Sequence, residues 1–75
     1  MKRIIQFRIS KGDKYYVAEG IDLSIVTQGE TLDELAKNIQ EAVGLHLEGE
    51  SPADFDIDPN PSILMNLELP VQIHA

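Results

Sequence analysis

The chain has 75 residues, thirteen acids against six Lys and Arg, a net charge of −7, two histidines and no cysteine. That length suits one small core, and the absence of cysteine excludes disulfides and thiolate metal sites. Oligomerisation is left as the extra support that so small a domain needs. Lys2, Arg3, Arg8, Lys11 and Lys14 against Asp13 give +4 over residues 1–14, while Lys37 against twelve acids gives −11 over the remainder. Such a surface repels nucleic acid and suits a basic protein partner, although acidity also serves solubility alone.

The first strand is expected at about Lys2 to Ser10, where Ile5, Phe7 and Ile9 alternate with Gln6, Arg8 and Ser10. Lys11-Gly12-Asp13-Lys14 reads as a hairpin loop, and a second strand follows over about Lys14 to Glu19. Tyr15 and Tyr16 there have a plain explanation, because aromatic residues favour strands. Gly20-Ile21-Asp22 is a connector, and a third strand is expected over about Ser24 to Thr27.

Thr31 and Glu34 form a capping box, so a helix starts at Leu32. Leu32, Leu35, Ala36, Ile39, Ala42, Val43, His46 and Leu47 fall on one stripe at helical spacing and are expected to pack. Asp33, Glu34, Lys37, Gln40, Glu41 and Glu48 face away, and Gly49 is the expected stop. Leu45 lies off the stripe, where an apolar side chain faces solvent in a monomer.

Residues 49–61 hold three prolines and four acids and read as a surface loop pinned by Phe55 and Ile57. Asp54, Asp56, Asp58 and Asn60 alternate as in a calcium loop, but Pro59 stands where that loop needs glycine and Met65 where it needs glutamate. A last strand is expected over Ile63 to Ile73, with Ile63, Met65, Leu67, Leu69, Val71 and Ile73 on one face. Pro70 places that part at an edge, at a bulge or beyond the sheet. A long apolar edge strand is an aggregation hazard unless another chain covers it, so Leu67, Leu69, Val71 and Ile73 are candidate oligomer contacts.

The resulting fold class is α+β in the order β-β-β-α-β: a three-stranded antiparallel meander, one helix on one face, and a fourth strand beside strand one and parallel to it. The chain is read as one domain. No apolar run approaches the roughly 18 residues that span a bilayer, and the N-terminus lacks a signal-peptide core, so a cytoplasmic location without membrane attachment is expected.

Catalytic equipment is hard to find. His46 is on the packed stripe, His74 is penultimate, and the glycines occur singly, without a phosphate-cradling loop. A metal nuclease on this element order would need converging acids; Glu41 and Glu68 could serve, but strand one offers none. No enzyme activity, cofactor or metal is expected.

Tyr16-Val17-Ala18, then Thr27-x-Gly29-x-Thr31-x-x-Glu34, then Asn38-x-x-Glu41-Ala42 resembles the HicB family of antitoxin domains over about Lys2 to Glu48. The resemblance implies a partial ribonuclease H fold without nuclease activity and assembly into dimers or tetramers. It also implies binding to a small basic HicA-type toxin that cleaves messenger RNA. Two departures limit the carry-over. Gly20-Ile21-Asp22-Leu23-Ser24 replaces the family's proline-rich connector, and no C-terminal DNA-binding module is expected, so operator binding is not carried over. Glu19, Asp22, Glu30, Asp33, Glu34 and Leu45 are the candidate partner contacts. The alternative is a stand-alone oligomeric scaffold or regulatory domain for another protein or a small ligand.

Overall fold

A computed structural model describes residues 2–48 and 56–73. Strand β1 spans Lys2–Lys11, β2 Tyr16–Gly20, β3 Val26–Gly29, helix α1 Leu32–Leu47 and β4 Ile57–Leu67. The strands form one mixed sheet in the order β3-β2-β1-β4. β1–β2 and β2–β3 are antiparallel, and β4 lies parallel to β1. The α+β class, the meander and the place of the fourth strand are as the sequence predicts.

Register explains the core. Because side chains alternate, Ile5, Phe7 and Ile9 share a face with Ile63, Met65 and Leu67 across the parallel pair and with Gly20 and Ala18 across the antiparallel one. Leu35, Ile39 and Val43 of α1 are buried with Ile5, Phe7, Ile9, Ala18 and Ile57 in one apolar cluster. The helix lies closest to β2 and β3. Ala18 and Gly29 are small, which lets its axis approach the sheet. The β1–β4 side of the same face is less covered, and Ile63, Met65 and Leu67 are only half-buried.

The helix start is as expected: Thr31 is extended and its hydroxyl oxygen accepts the backbone N–H of Glu34 at 3.0 Å. The expected stripe needs one correction, since Leu32, at the first helical position, is 41% exposed. His46 is half-buried, and Glu48 closes the helix with its N–H on the Leu45 carbonyl at 3.2 Å. Gly49 and Phe55 lie outside the described residues.

β2 and β3 both start later than the sequence predicts. β2 begins at Tyr16 because the hairpin closes one residue earlier, with the Gly12 N–H donating to the Tyr15 carbonyl at 2.8 Å. β3 begins at Val26 rather than Ser24: Leu23 and Ile25 drop into the core, and the Ile25 N–H turns back onto the Leu23 carbonyl at 2.8 Å, a three-residue turn that delays pairing.

The largest correction concerns β4, which runs Ile57–Leu67 rather than Ile63–Ile73. Ile57 is 1% exposed and pairs with Lys2, after which residues 58–61 bulge before Ser62 pairs with Ile4. Pro59 and Pro61, two of the prolines read as loop markers, sit in that irregular stretch, where the Asp58 carboxylate accepts the Asn60 N–H at 2.9 Å; Pro52 lies outside the described residues. Beyond Leu67 the pairing ends, because β1 turns into the hairpin two residues after their last pair, and Pro70 lies beyond the sheet.

A candidate interaction surface

Side chains on the helix-free face of the sheet follow from the same register. Val26, Glu19, Arg8 and Asn66 form one row across all four strands, Gln28, Val17 and Ser10 a second, and Gln6 and Leu64 a third. The Asn66 amide donates to the Gln6 side-chain oxygen at 3.4 Å, tying β4 to β1. Arg8, Ser10, Asn66 and Glu68 border a shallow recess at the end of the β1–β4 pair. Sequence reading does not find this group, because its members are distant in the chain and meet only through the parallel register.

The six predicted partner contacts are all exposed, but they do not form one patch. Glu30, Asp33 and Glu34 surround the start of α1. Glu19 and Asp22 lie at the other end of β2, because β3 runs back along β2 and brings Gly29 beside Tyr16. Glu19 also points to the helix-free face, opposite to its neighbour Ala18. Leu45, 69% exposed, is eleven residues after Glu34, or about 16 Å along the axis at 1.5 Å per residue. The acids at the helix start thus make one compact group, and the other contacts stand apart from it.

Residues of the family-like signature are occupied with structure. A Cβ on Gly29 would stand 2.7 Å from the Leu35 backbone nitrogen and 2.9 Å from its Cα. Thr31 caps the helix, and the Asn38 amide donates to the Gln28 carbonyl at 2.8 Å, holding α1 onto β3. The two tyrosines are half-buried, with Lys14 Nζ 5.4 Å from the Tyr15 ring centre and Lys11 Nζ 5.8 Å from that of Tyr16.

Of the predicted oligomer contacts, Leu67 is half-buried within β4. Leu69, Val71 and Ile73 follow it unpaired and are 68%, 81% and 89% exposed. Among the described residues there is no buried charged side chain and no group of three or more His, Asp or Glu that could hold a metal ion. No described helix is long and apolar enough to cross a membrane.

Compared with protein-family models, curated proteins and solved structures, the chain matches none.

Proposed function

We propose that the chain is a non-enzymatic, HicB-like antitoxin domain of the cytoplasm that neutralises a small basic ribonuclease of the HicA type by covering its cationic surface. The observation that carries this reading is the exposed acidic group Glu30, Asp33 and Glu34, set on a rigid platform where β3 enters α1. Three carboxylates on a chain of net charge −7 attract a cationic partner, speed its association and make binding salt-sensitive. The strand order β3-β2-β1-β4, with β4 parallel to β1, supports a partial ribonuclease H fold as the scaffold.

The test is an RNA-cleavage assay with a small basic ribonuclease of the HicA type, mixed with this chain. Cleavage is expected to fall to background at a stoichiometric amount of the chain. Undiminished cleavage at saturation would reject the proposal. The exposed apolar tail Leu69, Val71 and Ile73 favours a second reading, an oligomeric scaffold for another protein or ligand. A native co-purification that returns such a partner in place of a basic ribonuclease would decide for it.

A further inference from the structure

The sheet has two edges, and they are finished differently. β3 is four residues long, and its Gln28 carbonyl is taken by the Asn38 amide. A very short edge strand with an occupied carbonyl offers little backbone to pair with. β4 is open. Among the described residues only β1 pairs with it, and after its bulge Ser62-Ile63-Leu64-Met65-Asn66-Leu67 is regular, free of proline and without an ionisable side chain. Alternate backbone N–H and C=O groups of that run point away from β1 with no strand to meet.

We infer that this edge takes up an extended segment of the basic protein partner, added as a fifth strand along β4 and on beside the tail 68–73. The inference rests on the toxin-binding reading above. Side chains of an added strand alternate between the two faces of the sheet. One set joins the row Ile63, Met65 and Leu67, which is only half-buried, so the segment is apolar at every second position. The other set lies beside Ser62, Leu64 and Asn66 on the helix-free face. A net charge of −7, with Glu68 at the end of the neutral strip, favours Lys or Arg in that second set. The same charge makes a second acidic copy a poorer occupant of this edge.

Register and area extend the contact to the helix start. Leu67 stands level with Ile9, Ala18 and Thr27, two residues short of Gly29. The tail, with Leu69, Val71 and Ile73 exposed, thus leaves the sheet at the end where α1 begins. Glu30 follows β3 there, three strands from β4 or about 14 Å at ~4.8 Å per strand, with the β1–β2 hairpin between. Taking the strip as ~10 Å deep, pairing over residues 62–67 buries on the order of 400 Å² across both partners, and about 800 Å² when continued to residue 73. Stable complexes bury about 1,200 Å² or more. Strand addition alone falls short of that, so the partner reaches the Glu30, Asp33 and Glu34 group as well. Backbone pairing supplies the docking, and the carboxylates fix the orientation.

The probe is the HicA-type ribonuclease of the cleavage assay. With it bound to the full chain, hydrogen exchange followed by NMR is expected to slow at least tenfold at the amides of residues 62–67 that face away from β1, and not in β3. Ser62→Lys and Leu64→Lys, both at exposed positions, charge the edge as native proteins do to block it. Each should weaken binding at least tenfold with an unchanged circular dichroism spectrum. Gln28→Lys adds the same charge at the closed edge and should weaken binding less than threefold. Blocked cleavage without slowed exchange in residues 62–67, or equal losses in all three lysine variants, overturns the inference and leaves the toxin reading standing. Slowed exchange at those amides in the chain alone, growing with its concentration, assigns the edge to a second copy and also overturns the inference. Undiminished cleavage at saturation overturns both readings.

Discussion

Two glycines that look equivalent in sequence are expected to respond oppositely to alanine. At Gly29 a methyl group would sit 2.7 Å from the Leu35 nitrogen and 2.9 Å from its Cα, both backbone atoms. Leu35 cannot retreat cheaply, because its N–H donates to the Thr31 carbonyl at 2.9 Å and its side chain is fully buried. Inserting a methyl against fixed backbone costs about 1–3 kcal/mol. The smaller entropy of the unfolded alanine chain returns roughly 0.4–1 kcal/mol, so Gly29→Ala should lose about 1–2 kcal/mol. At Gly44, inside α1, a Cβ meets nothing within 4 Å. Gly44→Ala should therefore gain about 0.8–1 kcal/mol from helix propensity. Urea denaturation at one fixed protein concentration measures both, and with a slope near 1 kcal/mol/M the midpoints should differ by about 2–3 M. If Gly29→Ala were as stable as wild type while Gly44→Ala gained, the close approach of α1 to β3 would be wrong. The glycine of the family-like signature would then need a functional explanation.

Thr31→Ala removes the hydroxyl that accepts the Glu34 N–H and should cost about 1 kcal/mol in the same titration, with Thr31→Ser close to wild type. Replacing Glu30, Asp33 and Glu34 together by Gln should slow toxin association at least tenfold at low salt and flatten its ionic-strength dependence in stopped-flow measurements. Leu45→Glu should leave stability within ~0.5 kcal/mol, because the side chain is exposed. Unaltered oligomer mass and toxin affinity in that variant would reduce the last turn of α1 to structural support.

The fold is legible wherever local pattern and tertiary demand agree. Ile5, Phe7 and Ile9 alternate in sequence and are buried together; Thr31 and Glu34 announce the helix start and make the expected bond. Reading fails where the decisive partner is remote. Pro59 and Pro61 signal a loop, yet Lys2 and Ile4 draw that stretch into an edge strand whose irregular part tolerates them. Leu69, Val71 and Ile73 alternate as a strand should, but β1 has already turned away. Leu32 keeps the helical period yet is exposed at the first position of the helix. The candidate contacts are close in sequence, but the backtracking of β3 along β2 separates Glu19 and Asp22 from the helix start. Nothing local in the chain encodes that separation, and the Arg8–Asn66–Glu68 recess is hidden for the same reason.

The parallel pairing of β1 with β4 also imposes an order of events during synthesis. β1, with Ile5, Phe7 and Ile9, finds its second neighbour in β4, which is made only after β2, β3 and α1. At about 5–20 residues per second, the roughly 55 intervening residues take several seconds to emerge. Throughout that interval β2, β3 and α1 can assemble on one side of β1 while its other edge stays bare. A nascent chain in a crowded polysome therefore carries, for seconds, a central apolar strand open to its neighbours. The net negative charge of residues 15–56 makes those neighbours repel one another until β4 arrives.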